Sequence, residues 1–343
     1  MEPVVGINAD NVTQWFVDHV AGVEPPLTFD LVAGGRSNLT FKVTDAAGST
    51  WALRRPPTGH VLPTAHDMGR EHRIIDALST HTDVPVAHPY GLCTDDAVNG
   101  AAFYVMDFVD GLILRDAATA ERLTADQRRV AGDDLIDVLV RIHDVDVDAV
   151  GLGDLGRREG YIERQLKRWY GQYEKSKMGE ERPLIDEMHD RLLKAVPDQQ
   201  GSTIVHGDYR LDNTMLGYDG RVAAVLDWEI CTLGDPLADV GLLMVYWTDP
   251  SDEFAALLGP TTLDGFPRRA DIAERYAKES GRDLDQLGFY VAFGYWKLAC
   301  ILQGVYERYM GGAGGGDSSG IEGFNAQITA LAQMSAKAAE GVA

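Results

Sequence analysis

Cysteine is scarce in this chain. The three present, Cys93, Cys231 and Cys300, are scattered and odd in number. They form neither a disulfide framework nor a metal or redox spacing, which points to a reducing, cytoplasmic setting. Long hydrophobic runs are absent too. Stretches such as Val240 to Trp247 fall far short of a bilayer span. Met1-Glu2-Pro3 does not lead from a basic segment into an apolar one, so no signal peptide is expected. Positive charge is in deficit, with 31 Lys and Arg against 53 Asp and Glu and a net charge of −22. This argues against general nucleic-acid binding, which rests on phosphate neutralisation, and against docking on anionic membranes. An acidic surface suits a cationic small molecule, though it mostly serves solubility.

What is present reads as a soluble globular chain: 45% hydrophobic, 24% charged, and at 343 residues long enough for two lobes. Asn8 to Val20 has the spacing of an amphipathic helix, ended by Pro25-Pro26. Leu27 to Val32, Leu39 to Thr44, Ser49 to Arg54 and Ala101 to Phe108 read as strands, with a helix over Met68 to Leu78. That order suits a small antiparallel sheet with one packed helix. After Gly111 the pattern turns mostly helical: Thr124 to His143, two helices within 160–196 with Pro183 starting the second, Leu237 to Trp247, and 269–310. Short strands are expected around 204–206, 214–217 and 222–226. Met310 to Gly320 is flexible by composition, and a last helix runs from Ile321 to Ala339. Arg36, Lys42, Arg54, Arg55, Arg70 and Arg73 make a locally basic stretch on this acidic chain. Either it seats polyphosphate or it is a mixed, solvated surface.

The densest chemical signal is His206-Gly207-Asp208-Tyr209-Arg210-Leu211-Asp212-Asn213, followed by Val225-Leu226-Asp227-Trp228. Phosphoryl transfer from a nucleotide needs one carboxylate at the attacking hydroxyl. It also needs an amide oxygen and a second carboxylate on Mg²⁺. Asp208 fits the first role, orienting more than deprotonating the acceptor; Asn213 and Asp227 fit the metal roles. The spacing resembles the catalytic loop and metal-binding aspartate of protein-kinase-like enzymes. The His-Gly-Asp form, with Asp-Trp in place of Asp-Phe-Gly, resembles the aminoglycoside phosphotransferase family.

That resemblance implies an α+β, two-lobed kinase-like fold. Residues 1–108 form a sheet lobe that covers the nucleotide. Residues 109–343 form a helical lobe with the catalytic loop, metal site and acceptor pocket. Ala33 to Asn38 is the candidate nucleotide-covering turn, with Gly34, Gly35, Ser37 and Asn38 near phosphate. Arg54 stands where kinases carry a phosphate-binding lysine, with Glu71 as its acidic partner; the adjacent Arg55 is an alternative contact. Phe103 to Gly111 corresponds to the hinge, where adenine meets backbone near Asp107 and Val109 with Met106 behind the ring. His206 is expected to hold the loop by hydrogen bonds. Asp235 and Asp239 read as helix-start residues around Pro236. The short interval from Asp227 to Leu233 leaves little room for an activation segment, which argues against a protein kinase. Acceptor-lining candidates are aromatics such as Trp169, Tyr170, Tyr246 and Trp247.

Leu53-Arg54-Arg55-Pro56-Pro57, Thr232-Leu233-Gly234-Asp235-Pro236 and Phe293-Gly294-Tyr295-Trp296-Lys297-Leu298 resemble the kinase-like domains attached to some acyl-CoA dehydrogenases. The dehydrogenase part itself is not in this sequence. The expectation is therefore an ATP- and Mg²⁺-dependent kinase of a small-molecule hydroxyl, with a hydroxylated acyl thioester as candidate acceptor. An aminoglycoside kinase and a nucleotide-binding module without transfer activity are the alternatives. ATP or GTP preference and oligomeric state stay open.

Overall fold

Strand parity organises the first hundred residues. Successive side chains of a strand point to opposite faces. Phe41 and Val43, Trp51 and Leu53, and Phe103 and Val105 form one apolar face, which packs on Val12, Trp15 and Phe16 of helix α1 (Ala9–His19). The alternate residues Thr40, Ala52, Arg54, Tyr104 and Met106 line a cleft on the other face. The computed structural model describes residues 4–32, 38–58, 67–177, 181–252, 259–310 and 321–341. Gly34, Gly35 and Ser37 of the expected covering turn lie outside the described residues, as does most of the glycine-rich stretch before residue 321.

The sheet holds β1 (Thr28–Leu31), β2 (Leu39–Thr44), β3 (Thr50–Arg55), β4 (Pro89–Cys93) and β5 (Phe103–Asp107), in the order β1-β2-β3-β5-β4 with antiparallel pairings. Helix α2 (Met68–His81) connects β3 to β4, and the one-turn helix α3 (Asp96–Asn99) connects β4 to β5. Two helices therefore serve this sheet, not the single packed helix expected, because α1 covers its outer face. β4 was not expected either, since Pro89 and Gly91 disfavour a strand. It is tolerated at the sheet edge, where the register with β5 shifts between Pro89 and Gly91.

The remainder is mostly helical: α4 (Ala117–Ala120), α5 (Ala125–His143), α6 (Tyr161–Ser176) and α7 (Pro183–Lys194) precede the short strands β6 (Thr203–Val205), β7 (Thr214–Leu216), β8 (Val222–Val225) and β9 (Thr232–Gly234). Then follow α8 (Leu237–Tyr246), α9 (Arg269–Ser280), α10 (Leu287–Arg308) and α11 (Ile321–Ala338). Thr124 starts α5 with a reciprocal capping box to Gln127. Gly281, at φ +66°, ends α9, which splits the expected single run of 269–310. β6 pairs with β9 and β7 with β8, forming two hairpin-like supports for the loops between them.

Two close approaches fix the larger lobe on the sheet and on itself. Leu112 and Leu216 exchange backbone hydrogen bonds of 2.8 Å, so the segment leaving β5 lies against β7. A Cβ on Gly111 would sit 2.3 Å from the Leu216 carbonyl oxygen. Likewise α8 meets α10 almost backbone to backbone: a Cβ on Gly241 would lie 2.5–2.6 Å from Tyr290 atoms. Gly241→Ala is therefore expected to lower stability by about 1–3 kcal/mol through overpacking. Gly171 of α6 has open space around it, so Gly171→Ala should gain roughly 0.5–1 kcal/mol from helix propensity. Urea denaturation of the two variants tests this opposition of sign.

Candidate active site

The loop from β6 to β7 is built around buried backbone bonds. Asp239, on the first turn of α8, accepts from the His206 amide (2.7 Å) and the Gly207 amide (2.8 Å) and lies 3.4 Å from His143. Burial works against its charge, but the His143 contact, nearby His206 and the Gly207 amide outweigh it and hold the carboxyl below its usual range. Both aspartates stand at the start of α8 as expected: Asp235 accepts from the Leu237 amide and the Tyr290 hydroxyl, and Asp239 in the first turn takes on a further, long-range role. Asp239 holds the loop, a role no local pattern signals, because its partners lie more than thirty residues away. His206 contributes as well: Nε2 meets the Leu226 carbonyl at 2.9 Å, and Nδ1 lies 3.3 Å from the Asp208 amide.

Asp208 follows directly. Its Oδ2 and its carbonyl each accept from Asn213 Nδ2 at 2.8 Å. The five-residue spacing lets the loop turn through a short 3₁₀ segment, Leu211–Asn213, and return to its own start. With its nitrogen spent on Asp208, Asn213 has its amide oxygen left for other partners. Asn213 and Asp227 line the same cleft. Asp227 ends the β8 arm and adopts φ +64° and ψ +63°. It is the non-glycine residue with positive φ among those described. That conformation costs roughly 1–3 kcal/mol and persists only where surroundings impose it. The pair offers an amide oxygen and a carboxylate oxygen, which fits the hard-oxygen preference of Mg²⁺.

Arg54 reaches this point from the sheet. Its Nε donates to Glu71 Oε2 (2.9 Å) and its Nη2 to Asp227 Oδ1 (2.6 Å). Glu71, on α2, also accepts from Tyr104 Oη (3.1 Å) and Asn38 Nδ2 (3.1 Å). Burial opposes the Arg54 charge, yet Tyr104, Glu71 and Asp227 more than compensate and raise its pKa. Glu229 completes the group: burial, then the Asp227 and Glu71 charges, push its carboxyl up to about 7. Asn38 donates to Glu71 and approaches Glu229, so its amide nitrogen faces carboxylates. Arg55 points to the opposite face and donates to carbonyls of Pro56, Gly6 and Asn99.

Among the described residues the basic stretch is dispersed, as a mixed surface would be; Arg36 lies outside them. Arg70 donates to the Leu155 and Cys231 carbonyls, Arg73 pairs with Asp154, and Lys42 lies over the Phe108 ring. Arg54 is the member among the described residues that lines the cleft.

The cleft itself has a volume of about 230 Å³. One part is apolar, with Ala52, Ile75, Ala87, Met106, Ile113, Met215 and Val225; the other carries Asn38, Arg54, Asp212, Asn213 and Asp227. Met106, Asp107 and Val109 lie along its edge. The Asp107 amide donates to the His88 carbonyl, and its carboxylate accepts from the His88 amide and the Tyr90 hydroxyl. Both its amide and its carboxylate are thereby engaged within the sheet lobe. Of the expected acceptor aromatics, Tyr246 stacks beneath the Arg210 guanidinium at 4.5 Å, and Trp247 is core. Lys297 was not singled out from the sequence. Its Nζ donates 2.9 Å to the Gly207 carbonyl, and burial lowers its pKa against the pull of Asp208 and Asp239.

A small antiparallel sheet over a helical lobe, with a carboxylate loop and an aspartate-ended hairpin at their junction, defines a bilobal, kinase-like phosphotransferase. The model of the phosphotransferase enzyme family matches residues 28–286, and the chain belongs to that family. A putative aminoglycoside phosphotransferase from Ralstonia eutropha superposes with a TM-score of 0.82 at 34% identity, covering 97% of this chain and 98% of that one. The macrolide 2′-phosphotransferase MphH from Brachybacterium faecium shares the fold with a TM-score of 0.61 at 19% identity, covering 93% and 98% of the two chains. Among curated proteins, the probable acyl-CoA dehydrogenase IBR3 of Arabidopsis thaliana is 36% identical over 85% of this chain and 38% of its own length. Acyl-CoA dehydrogenase family member 10 of Mus musculus is 36% identical over 86% of this chain and 27% of its own length. The chain thus spans well under half of these relatives.

Arg54→Ala is expected to weaken ATP binding about tenfold or more, through loss of a charged partner at the polar end of the cleft. Arg55→Ala should leave binding nearly intact but lower the unfolding free energy by about 1–3 kcal/mol, since it strands carbonyls. Calorimetric titration beside urea melts checks both; the reverse pattern would reassign the two arginines.

Proposed function

We propose that this enzyme transfers the γ-phosphoryl group of ATP, with Mg²⁺, to the hydroxyl of a small molecule. The observation that carries the proposal is the meeting of Asp208, Asn213 and Asp227 at one junction, with Asn213 and Asp227 lining a cleft that is apolar over much of its wall. An apolar slot beside a polar, cation-ready end suits a purine joined to polyphosphate. In this reading Met106 and the backbone of Asp107 and Val109 receive the base. Asn38 and the turn with Gly34, Gly35 and Ser37 cover the phosphates, and Arg54 contacts them. Glu71 aligns Arg54, and Asn213 and Asp227 hold the metal. When bound, Mg²⁺ supplies charge neutralisation on the phosphates. Asp208 orients the acceptor hydroxyl, which is most of what a loose transition state requires. The lobes divide at 108/109. The buried free cysteines suit the cytoplasm.

Two acceptor classes are the leading candidates. The names of similar solved structures, aminoglycoside phosphotransferases with two macrolide phosphotransferases among them, favour an aminoglycoside over a thioester. The acyl-CoA dehydrogenase names of the curated relatives favour a hydroxyacyl thioester. No helix among the described residues is long and apolar enough to cross a membrane.

The test is transfer of labelled phosphate from ATP and Mg²⁺ to aminoglycosides, hydroxyacyl-CoA thioesters and a generic protein. Label on one small-molecule class assigns the acceptor. Label on none, with ATP bound, would favour a binding module. Asp208→Asn should reduce transfer by at least about 100-fold while leaving ATP affinity nearly unchanged; unaltered turnover would remove Asp208 from its role.

A further inference from the structure

We infer that Lys297 is a positioning residue for Asp208, which it aims by fixing the peptide plane between Gly207 and Asp208. The inference deepens the reading of Asp208 as the group that orients the acceptor, and rests on it.

Gly207 has φ +85°, and a glycine at such a point leaves the planes on either side of it free to turn relative to each other. Each plane therefore needs its own restraint. The plane before Gly207 is held through its amide hydrogen, which Asp239 accepts at 2.8 Å. The plane after it is held at both edges: His206 Nδ1 lies 3.3 Å from the Asp208 amide, and Lys297 Nζ donates 2.9 Å to the Gly207 carbonyl. That second plane carries the Asp208 Cα, so its tilt sets where the carboxylate points.

The fold goes to some length to deliver this amine. Tyr290, Gly294 and Lys297 are spaced i, i+4 and i+7 on α10, which puts them on one helix face. Tyr290 binds Asp235 at the start of α8. A Cβ on Gly294 would lie 3.5 Å from the Gly241 carbonyl oxygen, and Gly241 in turn admits Tyr290. Lys297 is 6% exposed, with its Nζ 5.7 Å from the centre of the Trp169 ring. A buried amine is a costly way to fill a core, and methionine would fill the same space without that cost. The hydrogen bond to Gly207 is what the amine adds, and it survives whether the nitrogen is charged or neutral.

The test compares wild type with Lys297→Met, Lys297→Arg and Asp208→Asn. It measures phosphate release from ATP and Mg²⁺ to water and to any acceptor that turns over, hydrogen exchange of the 206–213 segment, and thermal unfolding. Lys297→Met is expected to lower kcat at least about tenfold, since sub-ångström misaim of a reacting group is that costly. KM for ATP should stay within about twofold and the unfolding midpoint within a few degrees. Exchange across 206–213 should quicken, and Lys297→Arg, which keeps a donor, should recover part of kcat. Wild-type kcat with unchanged exchange in Lys297→Met would overturn the inference, as would a kcat loss that merely follows lost stability. Should Asp208→Asn retain full turnover, the reading of Asp208 fails instead, while the exchange measurement still decides whether Lys297 holds the loop.

Discussion

The site depends on one buried carboxylate. Asp239 spends both oxygens on consecutive amides, those of His206 and Gly207, and leans on His143, whose other nitrogen meets the Tyr276 hydroxyl at 2.8 Å. An isolated charge in that position would be prohibitively expensive. Satisfied by two amides and an imidazole, it becomes a rigid peg. Its strength lies in what it joins: α8, α5 and α9 all bear on it, so the loop carrying Asp208 inherits the stiffness of the helical core. The close contact of α8 with α10 extends that connection. The placement of Asp208 is therefore decided largely by packing far from any bound substrate.

The sheet lobe is attached through arginines. Arg54 bridges Glu71 of α2 to Asp227 of the larger lobe. Arg70 caps carbonyls at Leu155 and Cys231, and Arg73 reaches Asp154 and the Gly151 carbonyl. Three guanidiniums from β3 and α2 thus span the junction. Their forked geometry suits simultaneous bonds to two partners. Exposed pairs such as Arg73 with Asp154 contribute little to stability; apolar packing joins the lobes as well, since Ile75, Leu78 and Tyr104 share one buried cluster with Leu112, Leu216 and Val225.

Much of this was legible from sequence, for physical reasons. The fold class was implied by the family resemblance carried by His206 to Asn213 and Val225 to Trp228, and the pattern of strands followed by helices after Gly111 agreed with it. Asn213 returns to Asp208 because five residues close a short helical turn. Family membership was legible from the same motif. What was missed depends on distant contacts. Asp239 resembles any helix-start acid until its partners are seen. Lys297 entered only as part of the Phe293 to Leu298 resemblance, because its partner, the Gly207 carbonyl, lies 90 residues away. β4 carries proline and glycine that a central strand would reject and an edge accepts. The basic stretch stayed ambiguous because linear proximity does not preserve facing: Arg54, Arg70 and Arg73 turn to the lobe junction and Arg55 to the opposite face of the sheet.

That last point has a consequence for how this chain can vary in length. Arg54 and Arg55 exchange roles if β3 slips by one residue, and so do Leu53 and Ala52, which would carry the outer core into the cleft. Losing or gaining a single codon within β2 or β3 therefore does more damage than most substitutions there. The Ala46–Gly48 turn, with Gly48 at φ +89° and open space around it, has room for such changes. Length variation among natural versions of this lobe should accumulate at that turn and leave the strands at fixed length.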